Sequence, residues 1–324
     1  MNSSITRRQF VRVASAAAAG LAVGSRTDLA EGVPLYPPID LSYFERPITA
    51  APGDIKFGYA AITWQGKDRQ AIEDIAAVGF TGIQLRPSVL PEFGGKPAAL
   101  KDLLAQHRLT MTAFSSGGVR IDPELEKDEI ATHVKHARFV REVGGQYLQL
   151  TDTRPKRPLT AADYRRLGQL LADIGKRTAD LGVPVAYHNH MNAIGERPDE
   201  VDRVLDAADP RYVKVLLDVA HYQQGGGDPV AAVKKYASRL LFLHIKDVQS
   251  PLPGHTGDPM RSYRFVELGH GKVDLQGVFA ALEAVKFRGW AVVELDRVPD
   301  DARTPKESAI IAREYLQKLG YEVR

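Results

Sequence analysis

The chain has 324 residues and a formal net charge of +3, and it contains no cysteine. Its length and its hydrophobic content of 44% are enough for one large domain with a sizeable core. Lysines and arginines are interspersed with acidic residues, so the small positive charge gives little support to nucleic-acid binding. The absence of cysteine excludes disulfides, thiolate metal sites and a cysteine nucleophile.

The first 30 residues form a segment with a separate purpose. Arg7 and Arg8 precede a short, weakly hydrophobic run at residues 14–23. The segment resembles a bacterial twin-arginine export signal, and the run is too short for an ordinary membrane span. We therefore expect a periplasmic or otherwise exported protein that engages the twin-arginine export machinery and has no stable membrane span. The alternative is a disordered basic leader.

Residues 31–53 are rich in proline and lack periodicity, which predicts an extended lead-in to a domain at residues 54–324. Within that domain, apolar runs alternate with amphipathic helices, several of which end at glycine. The predicted strands are Ile55–Thr63, Gly82–Leu85, Leu109–Phe114, Tyr147–Leu150, Val183–His188, Val213–Asp218, Leu240–Asp247 and Trp290–Glu294. The predicted helices include Asp68–Val78, Pro97–Gln106, Glu124–Val143, Ala161–Leu181 and Lys306–Leu319.

Eight strands that alternate with helices predict an α/β fold, a (β/α)₈ TIM barrel. A doubly wound open sheet would show the same alternation, but it has no reason to gather polar strand ends around one point. Here the last four strands end in metal-competent residues, which are His188, Asp218, His244 and Glu294. A single histidine at a strand end is usually structural, so the convergence of all four favours a metal site at the barrel mouth.

Four short motifs follow one another along this domain. They are Asp218-Val219-Ala220-His221, His244-Ile245-Lys246-Asp247, Gly269-His270-Gly271-Lys272-Val273-Asp274 and Val293-Glu294. Together they resemble the xylose isomerase-like TIM barrel superfamily, in its sugar phosphate isomerase/epimerase branch, from about Asp54 to Leu319. The resemblance implies one divalent metal ion, held at the ends of strands five to eight by Glu, Asp, His and Glu. The matching positions here are His188, Asp218, His244 and Glu294.

The first of these positions departs from the family pattern, because His188 stands where much of the family has a glutamate. Two imidazoles and two carboxylates suit Mn²⁺, Co²⁺, Fe²⁺ or Zn²⁺ better than Mg²⁺. In family epimerases two glutamates share the abstraction and return of a proton, and only Glu294 keeps that part here. Glu196 and His190 are the candidates for a second acid or base.

The resemblance also assigns roles around the metal site. Glu294 is the expected catalytic base, and Lys246 is either a solvated strand-end charge or a catalytic cation beside a developing enolate oxygen. The expected substrate-binding residues are His190, His221, Arg297, Gln149 and Trp64, although structural roles are open for each. The wide loop from Ser250 to Val266 is expected at the barrel mouth, where it would shape substrate choice.

These features predict a metal-dependent sugar isomerase or epimerase that abstracts a proton next to a carbonyl of a sugar or keto-sugar. A lyase or hydratase of the inosose dehydratase or 3-keto-glycoside type is the nearest alternative, and His188 in place of a second acid base favours it somewhat. A non-catalytic exported sugar-binding barrel is the second alternative. An endonuclease IV-like nuclease is disfavoured, because Arg86 and Ser115 stand where its additional histidine ligands belong.

The expected partner is therefore a small-molecule sugar substrate and not nucleic acid. Family members often pair into dimers or tetramers, so the resemblance also leaves a homo-oligomer open.

Overall fold

The computed structural model describes residues 55–323, and the predicted export signal and proline-rich lead-in lie outside the described residues. The strands in chain order are β1 Ile55–Ala60, β2 Gly82–Leu85, β3 Thr110–Val119, β4 Tyr147–Asp152, β5 Val185–His188, β6 Val213–Asp218, β7 Leu240–Ile245, β8 Asp247–Gln249, β9 Arg264–Val266 and β10 Gly289–Val293. All except β8 and β9 pair in parallel and close into a barrel in the order β1-β10-β7-β6-β5-β4-β3-β2. The fold is therefore the predicted (β/α)₈ TIM barrel.

Helices follow the barrel strands around the outside, as the alternating sequence pattern predicts. They are α1 Asp68–Val78, α2 Leu90–Phe93, α3 Pro97–Gln106, α4 Glu126–Val143, α5 Ala161–Ala179, α6 Pro198–Ala207, α7 Val219–Gln224, α8 Pro229–Tyr236, α9 Leu275–Ala284 and α10 Pro305–Lys318. Helix α1 ends at Gly79, whose φ of 107° is in the left-handed region that glycine adopts without strain. No helix among residues 55–323 is long and apolar enough to cross a membrane.

The barrel interior explains why the predicted ligands face one another. Its packed apolar layer contains Ala186, Leu216, Phe242 and Val292, one from each of β5, β6, β7 and β10. Side chains alternate across a strand, so the residue two positions further along also faces inward. Those residues are His188, Asp218, His244 and Glu294. The polar cluster therefore lies on the apolar layer at the carboxyl ends of the strands.

Strands β8 and β9 form an antiparallel hairpin that is inserted after β7. Asp247, the first residue of β8, is buried. Its carboxylate accepts hydrogen bonds from the backbone N–H groups of Gly269, Gly271 and Val273, at 3.0, 2.9 and 3.1 Å. Burial raises the pKa of Asp247 to about 6. A Cβ atom on Gly271 would overlap this carboxylate, which explains the glycine. The Gly269–Asp274 motif therefore has a structural role, because it folds the chain around the end of β7.

Candidate active site

The structure brings the four predicted metal ligands together at the barrel mouth. Ligand atoms of His188, Asp218, His221 and Glu294 all lie within 4.8 Å of one another. His244 completes the group, because its Nδ1 is 3.5 Å from Asp218 Oδ2 and 3.4 Å from Glu294 Oε1. All five side chains are buried. The cluster thus contains three imidazoles and two carboxylates, with His221 as the member that we expected to contact substrate.

His244 provides the test of whether these residues fit a metal ion. Its Nδ1 is buried and has no hydrogen-bond partner among the described residues, although it points between two carboxylates. Its Nε2 lies 2.9 Å from Gln84 Oε1, which fixes the ring. Burial lowers the pKa of His244, but Glu294 and Asp218 outweigh burial and raise it to about 9. A fixed imidazole that turns an unpaired nitrogen between two carboxylates fits a divalent cation.

Lys246 is fully buried, so its interpretation as a solvated strand-end charge is wrong. Its Nζ lies 2.7 Å from Asp296 Oδ1 and 3.1 Å from Glu294 Oε1, and it sits 4.0 Å from the centre of the Phe265 ring. Burial lowers the pKa of Lys246, but Asp296 and Glu294 raise it above its ordinary value. The lysine therefore stays positively charged beside the expected base.

Glu294 is held in its ionised form by its neighbours. Burial raises the pKa of this carboxyl group, but His244 and Lys246 outweigh burial and hold the pKa well below its usual range. Glu294 is therefore a carboxylate at neutral pH, as a general base must be.

His188 differs from His244 in its charge state. Burial lowers the pKa of His188 to about 4, so the ring is neutral at pH 7. Its Nε2 lies 3.5 Å from Asp218 Oδ2, and its Nδ1 lies 3.0 Å from Gln149 Nε2. Gln149, which we expected to bind substrate, is buried and also bonds to Gln84. Its contacts therefore support His188.

His221 reaches the cluster because Asp218 begins a helix. The Asp218 carboxylate accepts a hydrogen bond from the backbone N–H of His221 at 2.8 Å and so caps α7. His221 Nδ1 accepts the backbone N–H of Met191 at 3.1 Å, and its Nε2 lies 3.2 Å from Lys246 Nζ. The ring of His190 packs against that of His221 with centroids 3.9 Å apart. The Asp-x-x-His spacing therefore indicated correctly that a helix turn brings His221 to the same pocket as Asp218.

Glu196 does not join the cluster. It is buried and makes two hydrogen bonds with the Arg261 guanidinium, at 2.5 and 2.8 Å. It also accepts the backbone N–H of Asn192 at 2.7 Å. These bonds tie the chain after β5 to the β8–β9 insertion, so Glu196 does not supply the carboxylate that His188 replaces.

The remaining expected substrate residues separate into two groups. Trp64 packs against Tyr59 and donates its indole N–H to Asp74 at 2.9 Å, so its contacts belong to the core around α1. Arg297 is exposed and lines a cavity of about 660 Å³, which it shares with Asp296 and Phe265 among others. Because both of those residues contact Lys246, the cavity borders the cluster and has room for a sugar-sized molecule.

Asp296 and Phe265 were not predicted from the sequence. Asp296 comes two residues after Glu294, and this strand-like spacing was an available signal. Phe265 offered none, because it reaches Lys246 only through the pairing of β8 with β9.

With its barrel and its mouth cluster, the chain belongs to the xylose isomerase-like TIM barrel family, whose model matches residues 72–319. Among curated proteins, it is 28% identical to the rhizopine catabolism protein MocC of Rhizobium meliloti, over 82% of this chain and 89% of that protein. It is 27% identical to an inosose dehydratase of Bacillus velezensis, over 81% of this chain and 96% of that protein. An inosose dehydratase of Geobacillus kaustophilus is 25% identical, over 83% of this chain and 96% of its own length.

Solved structures share the fold at lower identity. The crystal structure of IolI protein with a bound zinc atom matches with a TM-score of 0.68 and 16% identity, over 83% of this chain and 99% of that chain. D-allulose 3-epimerase from Methylomonas sp. matches with a TM-score of 0.66 and 20% identity, over 84% of this chain and 100% of that chain. These matches establish the barrel, and the curated relatives place the chain among enzymes of this superfamily.

Proposed function

We propose that this protein is a divalent-metal-dependent dehydratase that acts on a polyhydroxylated ketone, either an inosose-like ring or a keto-sugar. The observation that carries the proposal is the unpaired His244 Nδ1, buried between the carboxylates of Asp218 and Glu294. The curated inosose dehydratases, similar over most of their own length, support water elimination as the reaction.

The metal would be held by Asp218, His244 and Glu294, and His188 stands beside them at the fourth position of the family pattern. An imidazole ligand beside two carboxylates favours Zn²⁺, Mn²⁺, Co²⁺ or Fe²⁺ over Mg²⁺. When bound, the ion would polarise the substrate carbonyl and stabilise the negative charge that develops when the adjacent proton leaves.

Glu294 is the proposed base for the adjacent C–H group, because it is buried and remains a carboxylate at neutral pH. The Lys246 ammonium group, 3.1 Å from Glu294 Oε1, would offset negative charge on the substrate oxygen. Glu294 then carries the abstracted proton and can return it to the β-hydroxyl group as that group leaves. The ketone polyol thereby becomes an unsaturated ketone and one water molecule.

Isomerisation or epimerisation is the second candidate. It is favoured by His188, a neutral buried imidazole in the same cluster that could return a proton at another position. Both candidates begin with the same proton abstraction by Glu294, and they differ in what happens to the β-hydroxyl group.

Product analysis separates the two candidates. The metal-loaded protein would be incubated with inososes, free sugars and 3-keto-sugars, and the products followed by mass spectrometry and ultraviolet absorbance. The expected product is lighter than the substrate by the mass of one water, about 18 mass units, and absorbs as an enone. A product of unchanged mass would instead establish an isomerase or epimerase. Ligand binding without turnover of any compound would leave a non-catalytic sugar-binding barrel.

We also propose export through the twin-arginine pathway, on the basis of Arg7 and Arg8. Replacement of both arginines by lysine should retain the protein in the cytoplasm, as measured by cell fractionation. Unchanged export of that variant would contradict the proposal.

A further inference from the structure

Two glutamine side chains connect His244 to His188 across the barrel. His244 Nε2 is 2.9 Å from Gln84 Oε1, Gln84 Nε2 is 2.6 Å from Gln149 Oε1, and Gln149 Nε2 is 3.0 Å from His188 Nδ1. All four side chains are buried. Because water is excluded from such groups, the hydrogen bonds among these four side chains decide which ring nitrogens carry protons.

A chain of two amides has a direction. Each amide donates from its nitrogen and accepts at its oxygen, so one histidine must donate into the chain and the other must accept from it. If both histidines donated, the NH₂ groups of Gln84 and Gln149 would face each other without an acceptor. When both rings are neutral, as they are once a metal ion has displaced the His244 proton, only one of them can turn an unprotonated nitrogen toward the carboxylates while all four side chains stay paired.

The orientations of the two amides make His244 the donor, because Gln84 turns its oxygen to His244 and Gln149 turns its nitrogen to His188. His244 Nε2 gives a hydrogen to Gln84, and its Nδ1 faces the oxygens of both Asp218 and Glu294. His188 accepts from Gln149 at Nδ1, so its hydrogen is on Nε2, where Asp218 Oδ2 is 3.5 Å away.

The same reasoning applies to the third imidazole of the cluster. His221 Nδ1 accepts the backbone N–H of Met191 at 3.1 Å, and its Nε2 lies 3.2 Å from the Lys246 ammonium group, so both of its nitrogens already face hydrogen-bond donors. His244 is therefore the imidazole of this cluster whose inner nitrogen is free for a metal.

We propose that His188 is a positioning residue and not a metal ligand: the Gln84–Gln149 pair keeps its Nε2 protonated toward Asp218, and the ion is bound by Asp218, His244 and Glu294. This inference rests on the proposed metal site. His188 stands at the position of the family glutamate ligand, but here it would orient the Asp218 carboxylate through its Nε2–H group instead of binding the metal.

Zinc affinity of the folded chain tests the assignment, with Zn²⁺ alone as the probe in competition with a chromophoric chelator. His244→Gln should weaken Zn²⁺ binding by more than about 100-fold, whereas His188→Gln should cost about 10-fold, as loss of an outer hydrogen-bond partner does. Circular dichroism checks that both variants remain folded. Equal losses in the two variants would overturn the inference.

Gln149→Glu is a gain-of-affinity test. A carboxylate at position 149 accepts hydrogens from both Gln84 and His188, so His188 Nε2 loses its hydrogen and becomes a ligand. We expect Zn²⁺ binding to tighten by about 10-fold or more, which is the size of effect that outer partners have on metal affinity. The double variant Gln149→Glu/His188→Gln is the control for the added charge, and it should lack the gain. A gain that persists in the double variant would contradict the proposal.

The ring protons can also be observed directly. In ¹⁵N-histidine NMR spectra of the zinc-loaded wild type, His188 should carry hydrogen on Nε2, and in Gln149→Glu it should carry hydrogen on Nδ1. Hydrogen on Nδ1 of His188 in the wild type would refute the inference while leaving the metal site intact. A wild-type chain that binds no Zn²⁺, Mn²⁺, Co²⁺ or Fe²⁺ would instead refute the proposed metal site itself.

Discussion

Two buried groups of histidines in this protein have different surroundings. The group at the barrel mouth contains His188, His221 and His244, together with the carboxylates of Asp218 and Glu294. One of its nitrogens, Nδ1 of His244, points at both carboxylates without a hydrogen-bond partner in the described part of the chain. The group therefore has the negative charge that a metal ion requires, and a ring nitrogen that becomes a ligand when the ion displaces its proton.

The other group connects α4 to β3. Ser116 Oγ lies 2.6 Å from His133 Nδ1 and 2.7 Å from His136 Nδ1, so its hydroxyl donates to one ring and accepts from the other. Glu129 is the carboxylate beside His133, and Arg120 already balances its charge at 2.6 Å. His133 Nε2 is also buried without a hydrogen-bond partner among the described residues, 3.5 Å from Glu129 Oε2. The two groups therefore differ in their carboxylates: two face the mouth imidazoles and share Lys246 as their cation, whereas the single Glu129 is paired with Arg120.

The largest expected effect is loss of the metal. Asp218→Ala and His244→Ala should abolish metal retention, because each removes a ligand from a buried site, while His133→Ala and His136→Ala should retain one ion per chain. Elemental analysis of the purified variants gives the metal content, and circular dichroism confirms folding. Full occupancy in both mouth variants would show that the two groups do not differ in this way.

The second expected effect is on proton abstraction. Glu294→Gln should slow exchange of the substrate C–H with solvent by about 10²- to 10⁴-fold, the usual contribution of a general base. NMR in D₂O under saturating metal measures the exchange rate, so that weaker metal binding does not contribute. Glu92→Gln, at an exposed position, is the matched control and should exchange at the wild-type rate. Exchange at an unchanged rate in Glu294→Gln would remove Glu294 from this role.

A third variant tests whether a carboxylate paired with arginine stays outside the metal site. Arg261→Met should lower the free energy of unfolding by about 1–3 kcal/mol, because it removes the two hydrogen bonds and the positive charge that the guanidinium gives to the buried Glu196 carboxylate. The metal content should not change. Urea denaturation and elemental analysis measure the two quantities, and loss of the ion from this variant would place Glu196 in the site.

The smallest expected effect is a difference in pH dependence. Burial lowers the pKa of His136 to about 4, so its neutral form stabilises the fold above the unfolded pKa of about 6.5, and this contribution is lost as pH falls through 4. Between pH 6.5 and 4, the free energy of unfolding should therefore fall by about 1–2 kcal/mol less in His136→Gln than in the wild type, after allowance for solvent screening. Parallel stability curves from urea denaturation would argue against this account.

His244 should show the opposite sign in the metal-free protein. Its pKa is raised to about 9, so its stabilising contribution is complete below pH 6.5 and disappears as pH rises through 9.

The barrel and the strand ends could be predicted because their signals are local. Helix Asp68–Val78 begins and ends where the apolar period and Gly79 place it. His188 and Asp218 end apolar runs, and parallel strands bring such ends together. The contacts that the sequence did not predict depend on which strands are neighbours in the barrel.

The roles of Gln84, Gln149 and Lys246 depend on such contacts. The two glutamines on β2 and β4 became a bridge between histidines only when the closed barrel placed them side by side. A lysine at a strand end ordinarily reaches solvent, but the β8–β9 hairpin places Phe265 over Lys246, and Asp296 pairs with its charge. The hairpin depends on pairing between Asp247–Gln249 and Arg264–Val266, which no short motif specifies.

The most direct test of the proposed chemistry is deuterium uptake by the substrate in D₂O, measured by NMR with the metal-loaded protein and again after the metal has been removed by a chelator. We predict that deuterium enters beside the carbonyl of an inosose or keto-sugar with the loaded protein, and that chelation stops uptake until the metal is restored. Uptake that continues at the same rate without metal, or no uptake by any of these substrates with metal bound, would contradict the proposal.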